Sequence, residues 1–96
     1  MHWLWTWSGR SFGYRQGDLL FTKNGNHIGY FQDEEIYSVH GNYLGELKNG
    51  RLIIKNGSKH KRSSTCVPIA GTNYADRADY AGYAMRAGYE DFSEID

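Results

Sequence analysis

One cysteine, Cys66, and one proline, Pro68, are all that this chain of 96 residues has of either. A lone cysteine excludes an intrachain disulfide framework and any cysteine-cluster metal site. Scarce proline leaves few points where strand pairing must break. No apolar run approaches the roughly 18 residues of a membrane-spanning helix, and the mean hydropathy is −0.70. The apolar start, MHWLWTWSGR, is too short for a secretory h-region and no cleavage pattern follows it. These absences lead to the expectation of a soluble, cytoplasmic protein that makes no membrane contact. Net charge is absent too, but only as a sum. Residues 1–62 carry nine Lys/Arg against five Asp/Glu, and residues 63–96 carry two against six. A weakly basic body and an acidic tail lying across it is the expected arrangement.

What the chain has in quantity is aromatic residues and glycine. Three Trp, eight Tyr and four Phe make up 16% of it, beside 12 Gly. That pairing favours short strands joined by tight turns, and an internal period bears this out. The segments beginning Trp3-Leu4-Trp5, Leu19-Leu20-Phe21, Glu35-Ile36-Tyr37 and Arg51-Leu52-Ile53 follow one another at 16 residues without a gap. An aliphatic recurs at Leu4, Leu20, Ile36 and Leu52, followed by Trp5, Phe21, Tyr37 and Ile53. A turn glycine recurs at Gly9, Gly25, Gly41 and Gly57. An apolar-Gly pair recurs at Phe12-Gly13, Ile28-Gly29 and Leu44-Gly45, and becomes His60-Lys61 in the last copy.

Each unit reads as a β-hairpin. Ser8-Gly9, Asn24-Gly25, His40-Gly41 and Asn56-Gly57 suit two-residue turns of type I′ or II′. That register sets Leu4, Leu20 and Ile36 against Gly13, Gly29 and Gly45. It also sets Trp5, Phe21 and Tyr37 against Phe12, Ile28 and Leu44. Gln16-Gly17, Asp33-Glu34 and Asn49-Gly50 supply turns between units, so eight strands of about five residues are expected in an antiparallel meander. Apolar side chains on both faces suit an all-β core of four hairpins around a common axis, or a small curled barrel. A homo-oligomer burying the second layer is the competing arrangement. Lys55, Lys59, His60, Lys61 and Arg62 make the last strand polar, as on an edge protected from further pairing.

The motifs Leu20-Phe21-x-x-x-Gly25-x-x-Ile28-Gly29-Tyr30-Phe31 and Ile36-Tyr37-x-x-x-Gly41-x-x-Leu44-Gly45-Glu46 resemble the bacterial four-fold β-flower domain. The resemblance covers residues 2–62. It implies four hairpin petals and a bacterial source, with no assigned activity and no catalytic residues to carry over.

Residues 63–73 read as a connector, with Pro68 breaking regular structure, and residues 74–96 as an acidic Tyr/Ala-rich tail. The tail holds a nine-residue repeat, Ala75–Tyr83 against Ala84–Phe92. Alanine favours a short helix there, while Gly82 and Gly88 each oppose it by about 1 kcal/mol. Tyr74, Tyr80, Tyr83, Tyr89 and Phe92 either pack on an exposed edge or face, or belong to a mobile coil.

Catalytic groups are not evident. His2, His27, His40 and His60 stand in no nucleophile motif, and Asp33-Glu34-Glu35 falls in a turn where solvated charge is expected. The glycines sit singly in turns, which excludes a phosphate-cradling loop. No cofactor or metal is implied. The residues to weigh for ligand binding are Trp3, Trp5, Trp7 and Tyr37, whose rings could stack on sugars or small cations. Alternation puts the three tryptophans on one face, which favours core or subunit interface over a binding site. Nucleic acid is disfavoured because no aromatic interleaves the basic residues 55–62. The expected role is therefore non-enzymatic: structure or protein interaction, with a second copy or another protein as partner. Glycan or small-ligand binding is the alternative.

Overall fold

The structure, a computed structural model, describes residues 1–93. Seven strands follow one another in the order of the chain: β1 (His2–Thr6), β2 (Ser11–Gln16), β3 (Leu19–Thr22), β4 (His27–Gln32), β5 (Glu35–Ser38), β6 (Tyr43–Lys48) and β7 (Arg51–Lys55). Each pairs antiparallel with the next. An odd number of alternating strands leaves the first and last pointing the same way, and β1 pairs with β7 in parallel, Trp5 with Arg51 and Thr6 with Leu52. The meander is thereby closed into a seven-stranded barrel. An eighth strand, β8 (Tyr89–Asp91), comes from the far end of the chain and pairs with Ile53–Lys55 of β7.

The four-fold column lines the interior. Leu4, Leu20, Ile36 and Leu52 are at most 1% exposed and form one cluster with Phe31, Leu44 and Phe92. Burying a side chain of this size contributes about 1.5–3 kcal/mol. The expected pairs Leu4–Gly13, Leu20–Gly29 and Ile36–Gly45 are present.

The next position differs from expectation. Trp5 faces Ser11, Phe21 faces His27 and Tyr37 faces Tyr43, because the register shifts by one residue in each hairpin. The cause lies in the turns. The N–H of Gly9, Gly25 and Gly41 donates to the carbonyl of Thr6, Thr22 and Ser38, all at 2.9 Å. These glycines are left-handed (φ 93°, 85° and 86°), whereas Ser8, Asn24 and His40 are not. One left-handed glycine at the end of a three-residue loop makes a bulge and not a two-residue I′ turn. The bulge turns Phe12 and Ile28 toward the inner cluster. Phe21 goes to a second buried cluster, with Trp3 and Tyr14. Two-residue loops occur instead at the other end of the barrel, at 17–18, 33–34 and 49–50, where Gly17, Asp33, Asn49 and Gly50 have positive φ.

The fourth copy makes no hairpin. After β7 the chain forms a single 3-10 turn at Asn56–Ser58, and Gly57 lacks the left-handed φ of its three counterparts. The expected polar edge strand at residues 59–62 is absent, save for a bridge between Arg62 and Asn42. Two columns account for this. In the first three copies the hydroxyl of Thr6, Thr22 or Ser38 accepts the N–H of Arg10, Asn26 or Asn42, at 3.2, 3.3 and 3.2 Å. The fourth copy has Ile54 there. In addition, a Cβ on Gly13, Gly29 or Gly45 would lie 2.1, 2.3 or 2.6 Å from the carbonyl oxygen of Phe21, Tyr37 or Ile53. The fourth copy has Lys61 at this position, which cannot make so close an approach.

Glycine replacement should separate these roles in urea unfolding. Gly9→Ala and Gly13→Ala should each lower stability by about 1–3 kcal/mol. Gly57→Ala has open space and ordinary φ, so its midpoint should stay within about 0.5 kcal/mol of the parent. Equal losses at all three sites would contradict this assignment.

Candidate functional site

Of the four aromatics singled out from the sequence, Trp3 belongs to the second cluster with Trp5 packed against it, whereas Tyr37 belongs to the inner cluster. Trp3, Trp7 and Tyr37 are 4%, 3% and 3% exposed, and Trp5 is half-buried. The segment after residue 62 covers the three tryptophans. Tyr80 stacks on Trp5 with ring centroids 4.1 Å apart and planes at 16°. Tyr83 meets Trp7 edge-on at 4.9 Å. Tyr74 stands perpendicular to both Trp3 and Tyr14. Each indole N–H also has an acceptor: the Trp5 ring donates to the Ala78 carbonyl, Trp7 to that of Ala84 and Trp3 to the Ser11 hydroxyl. The region is an irregular belt without helix, so its tyrosines pack where the sequence left packing and mobile coil both open.

The belt reads the barrel's period. It passes the turns in reverse order, and at each it makes the same pair of backbone hydrogen bonds. The N–H groups of Ser63, Gly71 and Tyr80 donate to the carbonyls of Gly41, Gly25 and Gly9, at 2.8, 3.0 and 2.8 Å. Three residues later, those of Cys66, Tyr74 and Tyr83 donate to Val39, Lys23 and Trp7, at 2.9, 2.9 and 3.0 Å. The acceptors recur every 16 residues and the donors every eight or nine. A Cβ on Gly9 or Gly41 would lie 2.0 Å from the Tyr80 oxygen or 2.4 Å from that of Ser63. The turn glycines therefore serve the belt as well as the turn.

Arg51 is the principal contributor that sequence reasoning missed. It is 9% exposed, its guanidinium donates to the Ala81 carbonyl at 3.1 Å, and it sits 4.3 Å from the Tyr83 ring centroid. A cation desolvated against an aromatic face contributes about 2 kcal/mol. Nothing local marks it, since the ring and the carbonyl come from thirty residues further along. Tyr14 was also passed over; its hydroxyl donates to the Thr72 carbonyl and accepts the Thr72 N–H.

Several titratable groups are held in structural bonds. His27 is buried; its Nε2–H donates to the Gly29 carbonyl at 2.9 Å and its Nδ1 accepts the Ile69 N–H at 3.1 Å. Neither nitrogen is left for proton transfer. Asp91 accepts from the Ser8 N–H at 3.2 Å and from the Ser8 and Thr6 hydroxyls. Glu35, in the Asp33-Glu34-Glu35 run, is paired with Lys61 at 2.6 Å and accepts the Tyr37 hydroxyl. The hydrogen bond from Lys61 holds its carboxyl below the usual range. Burial, and after it the bond to Glu35, pushes the Tyr37 phenol up to about 12. Among the described residues no group of three or more His, Cys, Asp or Glu could hold a metal ion, and no helix is long and apolar enough to cross a membrane. A cavity of ≈530 Å³ is lined by residues that include Phe12, Phe92 and the ion pair Lys23–Asp76 at 2.7 Å.

A closed barrel of repeated hairpin petals, with its outer aromatics sealed by the chain's own belt, defines a small β-repeat module. The chain belongs to the 4-fold beta flower protein family, whose model matches residues 2–74. The match takes in the belt as far as Tyr74, beyond residue 62 where the repeat itself stops. Comparison with curated proteins and with solved structures found no match.

The raised Tyr37 phenol sets an alkaline limit. The folded state keeps its proton where the unfolded chain, with a phenol near 10.0, has lost it. This contribution is whole below pH 10 and is lost as pH rises toward 12. Urea midpoints should therefore fall between about pH 9 and about pH 11, and Tyr37→Phe should reduce that slope. Tyr43, whose phenol burial also raises, accounts for part of what remains.

Proposed function

We propose that this chain is a non-enzymatic bacterial module with a role in structure or protein interaction, associating with a second copy or another protein. The observation that carries the reading is the belt: one rim of the barrel holds an extended polypeptide by the same two hydrogen bonds at three successive petals. Backbone recognition with aromatic pockets for selected side chains is how protein modules bind extended partners. Support also comes from the commitment of His27, Asp91 and Glu35 to structural bonds, which leaves them no part in acid–base chemistry. Glycan or small-ligand binding through Trp3, Trp5, Trp7 and Tyr37 would need ring faces that the belt tyrosines and the core already cover.

Two measurements on the full chain test this. Acrylamide should quench the fluorescence of Trp3 and Trp7 poorly, and glycans should leave the emission unchanged. Readily quenched indoles that become protected by a sugar would favour the ligand-binding alternative. Light scattering should show mass rising above 11.0 kDa with concentration, or a second protein should co-purify from the native cell. A monomer with no co-purifying protein would end the interaction reading.

A further inference from the structure

β7 is a forked strand. On one side it pairs with β6 along Arg51–Ile53. On the other, Arg51 and Leu52 pair with β1, while Ile53, Ile54 and Lys55 diverge from it. That divergence is a notch in the barrel wall, at the place where a fourth petal's second strand would lie. β8 fills it from 34 positions further along the chain, where Tyr89 pairs with Lys55.

The filling strand is recognised by more than its backbone. The Asn56 N–H donates to the Gly88 carbonyl at 2.9 Å, and Glu90 pairs with Lys59 at 2.9 Å. Asp91 is bound by the Ser8 N–H and by two hydroxyls. Phe92, one step past the last ladder pair, is 2% exposed and joins the inner cluster. Its ring meets Phe12 perpendicularly at 5.1 Å and lies where a Cβ on Gly45 would come within 2.8 Å. The notch thus selects an antiparallel strand bearing adjacent acidic residues followed by an aromatic.

The connection to this strand is irregular, though it is bonded to the barrel at three turns. Residues 63–86 contain no regular strand or helix. The family match ends at Tyr74, so the notch lies inside the matched region and its occupant lies outside it.

We propose that the notch between β1 and β7 is an acceptor site for an acidic–aromatic β-strand, and that the Tyr89–Phe92 strand of a second copy fills it in trans. This rests on the interaction reading and names its site and partner. The second copy is the favoured occupant because its strand has the chemistry the notch already binds, and exchange of an identical element needs no new surface. The tether raises the effective concentration of the chain's own strand, so exchange grows with protein concentration.

The test uses the full chain with Phe92→Ala as acceptor and a synthetic peptide of residues 86–93 as the second copy's strand. The variant should melt below the parent, and the peptide should raise its melting temperature saturably. The same peptide carrying Phe92→Ala should bind roughly tenfold or more weakly. The parent, with its notch filled, should respond far less. If the variant does not fold alone, recovery on refolding with the peptide supports the site and no recovery overturns it. A folded variant indifferent to the peptide overturns it as well. Should the parent's mass rise with concentration while the peptide has no effect, the notch is excluded but association through another face still stands. A parent dimer that excess peptide fails to dissociate after refolding excludes strand exchange.

Discussion

Everything in this fold hangs on the carbonyl and the missing side chain of a left-handed glycine. At Gly9, Gly25 and Gly41 the positive φ closes a three-residue loop and produces a bulge. In the first two petals the bulge sends Phe12 and Ile28 to the inner cluster and Trp5 and Phe21 to the second, while Tyr37 and Leu44 of the third share the inner one. The same residues expose a carbonyl to the belt, which at Gly9 and Gly41 runs closer than any Cβ would permit and at Gly25 leaves a Cβ only 3.0 Å. Turn, bulge and belt are therefore one constraint repeated three times. A side chain at any of these positions strains the turn and also displaces the belt's backbone.

The three-fold repetition inside a four-fold sequence explains the asymmetry. Gly13, Gly29 and Gly45 let each petal's second strand press against the carbonyl of the next petal's first strand. The fourth copy, with Ile54 in place of a turn-capping hydroxyl and Lys61 in place of glycine, can do neither. Its second strand is replaced by a segment that brings its own aromatic plug, Phe92. The barrel closes by direct β1–β7 pairing over two residue pairs and is completed by β8 over three.

Charge contributes less to holding the belt than the opposite signs of body and tail suggest. Lys23–Asp76 and Lys59–Glu90 do link the two, but their side chains are 40–53% exposed, and solvent screens such pairs until they contribute little. Lys61, counted with the basic body, pairs with Glu35 of that same body. The larger contributions are directional: backbone hydrogen bonds at three turns, the Trp5–Tyr80 stack, and Arg51 against Tyr83. Tyr80 remains 54% exposed, so the belt lies as a ribbon on the surface and not within the core.

The local pattern by itself determined the petals. Sixteen-residue spacing, the Leu4–Leu20–Ile36–Leu52 column and its glycine partners follow from strand alternation and turn chemistry within a few residues, and such short-range constraints are legible in a chain. The hydroxyl column Thr6–Thr22–Ser38, broken at Ile54, was legible too and would have foretold the failed fourth hairpin. The one-residue bulge was not, because two-residue and three-residue loops accept the same Asn-Gly pair and differ only in φ at the residue before glycine. The tertiary structure alone decided what covers Trp3, Trp5 and Trp7, and what fills the notch beside β7. Those partners stand 30 to 85 residues away, joined by carbonyls, ring faces and one desolvated guanidinium that leave no periodic mark. Backbone acceptors are identical at every residue, so only the folded geometry selects which of them the belt will find.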